Sequence, residues 1–435
     1  MLLEALERLV TFQKLSGRRL KIIDCPARVA DFYLSRTGSR RLPVLVGTVF
    51  TPFLRDDGSV VETDGYDIAT GLYLLSSESW LPVPDAPTKH DALAALGVLM
   101  EPFNQFPWCK PVDLSVHLAA LFTIVQRRLL STAPLFSFSA PMQRSGKSML
   151  ADSISILGTG HPAPCQTVSS ESEEFRKVVF ASLYEGHLVI NLDNIERPLA
   201  SPHLSIALTQ ATYSDRPLGQ SSTVHLPTRM VWLATGCNLS FRGDLAVRTL
   251  LCHIDAHSEN PEEREFKIPD LSEYLKKNRP QLVQAVLTVL RAYHIAGRPV
   301  QNIKNWGGFD EWSRAIRAPL VWLGLPDPAD TREATIHDDP DRDASVVLLH
   351  ALHKAFGDEP FTLAEAVRRS KDTLGGYGYL EEALKSVAER KGSVDLRALG
   401  WWLRRWKGRV ADGLCLCDTG RQQQRAVQWR VEVRQ

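Results

Sequence analysis

The 435-residue sequence has no CxxC pair and no cysteine–histidine spacing of the kind that holds zinc. Its seven cysteines, Cys25, Cys109, Cys165, Cys237, Cys252, Cys415 and Cys417, are scattered, which argues against a disulfide framework and for buried thiols in a reducing compartment. Cys415 and Cys417 alternate along an expected strand and so share a face, but no histidine stands nearby to complete a metal site. Also lacking is any apolar run of the roughly 18 residues needed to cross a bilayer. The opening MLLEALERLV carries early acids in an amphipathic pattern, unlike a signal peptide. Both absences point to the cytoplasm and away from a membrane. Charge excess is missing as well: 51 basic against 50 acidic side chains leave +1, so nucleic-acid contact has to come from local patches rather than a global field.

What is present is ordinary globular material, 44% hydrophobic and 23% charged, long enough for two to four domains. Residues 1–90 read as a small α+β domain. Within it, Leu42 to Leu75 alternates β-rich runs with turn signals at Asp56–Gly58 and Asp64–Gly65 and is expected to form a meander, followed by the proline-rich LPVPDAPTKH. Residues 91–325 interleave strand-like runs, APLFSFSAP, HLVINLDNIE and TRMVWLATGCN, with helical patterns, which predicts a mostly parallel sheet with helices on both faces. Residues 326–345, with prolines and a charge run, read as an exposed connector. Residues 346–435 carry three helical patterns, the first opened by a Thr362/Glu365 capping box, and then a two-stranded ribbon, which is the winged-helix order.

The stretch SAPMQRSGKS, between an apolar run and a helical one, has the context of a phosphate-binding loop, although Pro141 stands where glycine is usual. Proline pre-sets the φ of a turn, so this departure weakens the motif more than the physics. Pro141, Gln143, Arg144, Ser145 and Gly146 would form the cradle, Lys147 would reach the β/γ-phosphates, and the Ser148 hydroxyl would hold Mg²⁺. Asp193, closing VINL, is placed to hold the same metal; its alternative is a turn or helix cap. The acid that often follows is absent, Asn194 standing there, so Glu196, Glu173 and Glu174 remain open as the group that orients the attacking water. Asn238 ends a buried strand and suits the polarisation of water or γ-phosphate; its alternative is an Asx-turn. Arg248 and Arg242 follow on a short helix. Either could reach the phosphates of a neighbouring copy, the alternative being surface pairing with Asp244 or Glu262.

In ordered combination, GKS, LDN, SDRPLGQ, ATGCNLSFRGDLAVR, NPEEREF and GFDEWSRAIRAPLVWLGLPDP resemble the helicase part of primase-helicases encoded by phages, plasmids and integrative elements. These are hexameric AAA+ ATPases of the superfamily 3 and minichromosome-maintenance-like group. The likeness runs from about Leu114 to the C-terminus, and GYDIATGLYL before it also looks like this group. It implies an AAA+ P-loop core, ATP and Mg²⁺ as cofactors, and an ATP-dependent DNA helicase acting in the replication of a mobile element or phage. It further implies Lys147 and Ser148 for Walker A, Asp193 for Walker B, Asn238 for the first sensor, Arg248 as a finger acting in trans, and Arg314 or Arg317 as the second sensor. Tyr213 to Pro227 falls where such helicases place a pore hairpin, with Arg216 and His225 as its DNA contacts. The implied partners are DNA, single-stranded or forked, further copies of the chain, and a separate primase or initiator. The roughly 110 residues before the ATPase are too few for a primase domain and show no acidic catalytic cluster, so primer synthesis is not expected. An ATP-switched replication initiator or helicase loader is the alternative.

From Leu396 onward basic residues gather: Arg397, Arg404, Arg405, Lys407, Arg421 and Arg425 are the candidate phosphate contacts, the first four on a helix near a groove, the last two at a wing tip. Trp401, Trp402, Trp406 and Trp429 could stack on bases, but their helical spacing favours the core.

Overall fold

The computed structural model describes residues 2–36, 43–76, 78–169, 171–219, 221–372, 375–390, 392–423 and 426–434. Segments that are apolar on every side form the centre of a parallel sheet, as both faces of such a sheet are covered by helices. In chain order the core is Pro111–Gln126 (α1), Leu135–Ala140 (β1), Lys147–Thr159 (α2), Cys165–Thr167 (β2), Ser172–Tyr184 (α3), Val189–Ile195 (β3), Pro202–Thr209 (α4), Val231–Cys237 (β4), Thr249–His253 (β5) and Leu271–Ile295 (α5). The five strands are all parallel, in the order β5-β1-β4-β3-β2. β1 and β4 are buried almost throughout, which is why neither alternates in sequence.

The chain leaves β1 toward β2 on one side, yet β5 lies on the other side of β1. The strand order therefore reverses at the carboxyl end of β1, where open α/β sheets form their ligand crevice. α2 begins there at Gly146 and stops at Gly160, both in the left-handed region, with the Gly160 N–H closing onto the Ile156 carbonyl. A Cβ on Gly158 would lie 2.2 Å from Ile124, so its absence lets α1 and α2 pack closely.

The 47–74 segment differs from the expected meander. Gly47–Val49 pairs parallel with Leu72–Leu74, the hairpin Phe53–Leu54/Val60–Val61 lying in the crossover, and only Gly65–Tyr66 adds an antiparallel strand. Its small core of Val49, Phe53, Val61, Leu72 and Leu74 is supplemented by docking on the sheet domain. The buried Arg279 of α5 donates to the Phe50 carbonyl at 2.8 Å, pairs with Glu78, bonds the Leu157 carbonyl of α2 and lies over the Trp80 ring.

The stretch read as an exposed connector is largely helical. Thr331–His337 packs on β5 and the Gly243–Arg248 turn: Thr335 donates to the Ala246 carbonyl at 2.8 Å, and Thr331 is buried beside Leu251. The prolines that suggested a linker are helix starters: Pro328 and Pro340 each follow an aspartate, Asp327 or Asp339, whose carboxylate caps the turn. Beyond them lie Pro340–Phe356 (α6), Leu363–Ser370 (α7), Gly378–Ala388 (α8) and Leu396–Trp406 (α9), then the antiparallel strands Val410–Ala411 (β6), Leu414–Gln423 (β7) and Ala426–Val433 (β8). This unit has its own core, including Leu352, Phe361, Leu384, Trp402, Trp406 and Trp429. Among the described residues it contains one helix more than the sequence pattern suggested, α6, which supplies the apolar face on which α8 closes, and three more strands, Val410–Ala411 and the short antiparallel pair Glu389–Arg390 and Ser393–Val394. No helix among the described residues is long and apolar enough to cross a membrane.

Candidate functional site

The loop between β1 and α2 turns through two left-handed residues, Arg144 at φ 58° and Gly146 at φ 97°. Glycine is required at the second: besides its φ, a Cβ there would lie 3.1 Å from the Phe106 ring that packs over the loop. The first-turn N–H groups of α2 have no intrahelical acceptor and carry the positive end of the helix dipole. The Lys147 ammonium donates to the Met142 carbonyl at 2.7 Å and lies 3.6 Å from the Cys237 thiol. Ser145 donates to the same carbonyl at 2.7 Å, while Gln143 and Ser148 are exposed. Arg144 reaches outward to Glu262 at 3.0 Å, tying the loop to the segment that follows β5. Pro141 is exposed on the rim of a ≈ 290 Å³ cleft shared with Lys110, Asp113, Asn238, His253 and Asp255.

β3 and β4 bring the other two groups to the same end of the sheet. The Thr235 hydroxyl of β4 donates to the Asp193 carboxylate, and Asn191 in turn donates to Thr235 at 3.2 Å, so the acid is held from the neighbouring strand. Asp152 of α2 lies near it; burial, and then the charge of Asp193, push its carboxyl above the usual range. Asn194 occupies a bulge at the end of β3 with φ 54°, a conformation that asparagine tolerates better than glutamate. Its amide donates to Glu196 at 3.3 Å. Backbone shape therefore disfavours glutamate at this position. Glu173 and Glu174 are engaged with Arg176 and Lys177 on the surface of α3. Asn238, φ 48°, closes β4 with its N–H on the Ala140 carbonyl at 3.2 Å. Its side chain is exposed, lines the cleft, and makes no Asx-turn bond among the described residues. Gly236 permits the crossing of β3 and β4: a Cβ there would stand 2.4 Å from the Ile195 carbonyl oxygen.

Behind α2, His117 is fully buried between the rings of Phe103, Trp108 and Phe138. Burial pushes its imidazolium down to a pKa of about 3 from the ordinary 6.5. The unfolded chain thus binds this proton more readily than the folded one. Stability is complete above pH 6.5 and falls as the pH drops toward 3, at up to about 1.4 kcal/mol per pH unit. Asp113 and Asp152, whose carboxyls are raised by burial, act in the opposite sense at low pH, so the comparison that isolates the histidine is between two proteins. In urea denaturation between pH 7.5 and 5, His117→Leu is expected to lose less stability than wild type by close to one proton's slope. Parallel curves for the two would show that His117 does not control it.

The remaining candidates separate. Arg248 precedes β5, at the opposite end of the strand from the loop, roughly 13–17 Å away by strand rise. It donates to the Ser205 carbonyl at 3.0 Å and pairs with Asp244 at 3.4 Å; Glu262 is held by Arg144 instead. Arg242 faces Asp341 at 3.7 Å. Arg314 and Arg317, the implied second sensor, lie on a segment away from the loop of their own chain. Their segment is tied to the residues before β1, Glu311 accepting the Ser131 N–H at 2.8 Å, at the far end of the sheet. Arg317 is 2% exposed, its guanidinium consumed by Asp327 and the Lys304 carbonyl, and Arg314 lines a separate cavity with Tyr293 and Arg298. Arg317 was indistinguishable from a free cation in sequence because its partner, Asp327, lies in a turn ten residues on.

Thr212–Asp215 and Val224–Pro227 form an antiparallel hairpin. Where the first strand gives way to the connecting loop, Arg176 donates two hydrogen bonds to Asp215 at 2.7 and 2.8 Å. Arg216 and His225 are both exposed, His225 facing Ser214, and Leu218 near the tip is 82% exposed. In the C-terminal unit Arg397, Arg404 and Arg421 are exposed, but Lys407 is paired with Asp418 at 3.1 Å and Arg405 turns toward the sheet domain, 3.8 Å from Asp341. Arg425 lies outside the described residues. Trp402, Trp406 and Trp429 are core as their spacing implied, whereas Trp401 is 59% exposed. Of the thiols, Cys25, Cys252 and Cys415 are buried, yet Cys109 and Cys165 are exposed, a further departure from the expectation. Phe106, Thr235 and Cys237 were missed as parts of the site. Only the alternation Asn191, Asp193 opposite Thr235 carried a trace of it, legible once the two strands are in register.

No protein-family model matches the chain, and no curated protein does. Among solved structures it is similar to the apo NrS-1 C-terminal region, at a TM-score of 0.39 and 10% identity, with 97% of this chain and 93% of that chain covered. It is also similar to JCV helicase, at 0.26 and 12% identity, over 55% of this chain and 73% of that one. Likeness of this degree leaves the site resting on its own geometry.

Proposed function

We propose that the chain is a P-loop ATPase of AAA+ type that assembles as a ring, in which ATP hydrolysis drives translocation on DNA and strand separation in the replication of a mobile element or phage. One observation carries this reading. Lys147, Asp193 and Asn238, from three different segments, stand at the carboxyl ends of the adjacent strands β1, β3 and β4, at the point where the strand order reverses.

The residues present fit a nucleotide. The glycine-opened helix start receives the phosphates, and Lys147 exchanges the Met142 carbonyl for a phosphate oxygen. The Ser148 hydroxyl and the Asp193 carboxylate would hold a Mg²⁺ bound with ATP, which would supply charge neutralisation for the phosphates. Thr235 keeps Asp193 aimed, and Asn238, with its amide unspent, orients the water or the γ-phosphate. Glu196 is the acid nearest Asp193 along β3 and is assigned as base in preference to Glu173 and Glu174. Arg248, too far from its own loop, acts on the phosphates of the adjoining protomer. The exposed hairpin presents Arg216, His225 and Leu218 to the nucleic acid, and the C-terminal unit, read as a winged helix, adds Arg397, Arg404 and Arg421. The expected result is ATP-dependent unwinding of a forked duplex by the purified chain, followed by displacement of a labelled strand. ATP binding without any unwinding would assign the chain instead to ATP-switched initiators or loaders.

A further inference from the structure

A ≈ 730 Å³ cleft lies between the sheet domain and the C-terminal unit, and four guanidiniums line it: Arg242 from the sheet domain, Arg342 at the start of α6, and Arg405 and Arg409 at the end of α9 and just after it. Three acids share the lining, and each is already committed. Asp339 is buried and accepts the N–H groups of Gly243 and Asp341, both at 3.0 Å. Asp244 pairs with Arg248. Asp341 is divided between Arg242 at 3.7 Å and Arg405 at 3.8 Å, two long, half-exposed contacts of the kind that contribute little and yield to a competing anion. Arg342 meets only the His337 ring, and Arg409 lies over Trp406; neither has a carboxylate among the described residues. Trp401 lies outside this lining, 59% exposed, but it is joined to it by Arg405, whose guanidinium is 5.3 Å from the Trp401 ring centre. A large indole left in water beside a row of cations is a stacking platform next to a phosphate track.

We propose that this cleft binds single-stranded nucleic acid, its phosphates on Arg242, Arg342, Arg405 and Arg409 and one unpaired base stacked on Trp401. Duplex DNA fits it poorly, because paired bases offer no free face to Trp401 and the cleft is bounded by two folded units. The inference deepens the proposed function, on which it rests for the kind of polymer, by naming the strand state and a site apart from the hairpin.

The test is a titration of the full chain, without nucleotide, by labelled oligothymidylate and by a duplex of equal length. Trp401→Ala is expected to weaken the single strand about tenfold, with Trp401→Phe retaining most of the affinity. The double change Arg342→Ala and Arg409→Ala is expected to lower the slope of log affinity against log salt by about 1.4, at roughly 0.7 for each phosphate no longer neutralised. Trp401 is exposed, so an unchanged melting temperature in Trp401→Ala accompanies the expected result. Undiminished single-strand affinity in Trp401→Ala, an unaltered salt slope in the arginine pair, or duplex binding that depends equally on Trp401 each overturns the proposal. With no nucleotide present, the outcome is independent of hydrolysis at Lys147, so the two readings fail separately.

Discussion

Lys147→Ala is expected to lose the proposed ATP hydrolysis, by at least about 10²–10³-fold in kcat, and to keep its fold. The two effects are separable because of where the ammonium sits. It lies at the first position of α2, spent on one loop carbonyl and a thiol, so removing it costs the apo protein on the order of 1 kcal/mol. In the proposed function the same ammonium would be the cation that meets the transferring phosphate, where charge develops, and no other cation of the loop would replace it: Arg144 points away to Glu262. Phosphate release measured with and without DNA, beside a thermal melt, reads both effects. Hydrolysis at the wild-type rate in Lys147→Ala would remove the nucleotide site, and with it the motor.

Arg248→Ala should fall to a similar depth, about 10³-fold, for a reason the single chain does not contain. At the amino end of β5 the guanidinium is far from its own loop, and its contacts to the Ser205 carbonyl and Asp244 are each worth on the order of 1 kcal/mol or less. A purely structural role would therefore show as a small loss of stability with hydrolysis retained. The decisive experiment mixes two dead proteins. In a ring, a Lys147→Ala protomer still offers its finger, and an Arg248→Ala protomer still offers its loop, so some interfaces in the mixture are complete and hydrolysis returns. If the mixture stays as inactive as its components while both proteins assemble, the arginine does not act across the interface.

How far these groups were legible before the fold depended on the range of the forces involved. The phosphate loop, the strands that precede each motif and the cap at Thr362 are local: apolar runs, a glycine at φ 97° and a hydroxyl three residues before a glutamate. Asn194 shows the limit of motif reading, since the amide that looked like a missing catalytic acid stands in a left-handed bulge that disfavours glutamate. The prolines at 328 and 340 misled for the opposite reason; proline begins helices as readily as it breaks them, and only the aspartates before them tell the cases apart.

The sequence by itself determined that an acid and an amide would each close an apolar strand and that a lysine would open the helix after a third, because hydrophobic patterning and turn chemistry act within a few residues. The tertiary structure decided which strands are neighbours, and so that Thr235 holds Asp193, that Arg317 is locked to Asp327 far from the loop, and that Trp401, unlike Trp402 and Trp406 on the same helix, stays in water against the Arg405 guanidinium. Strand order and domain docking come from packing between segments far apart in the chain, and side chains of one type are sorted into site, core or surface only when that packing sets their surroundings.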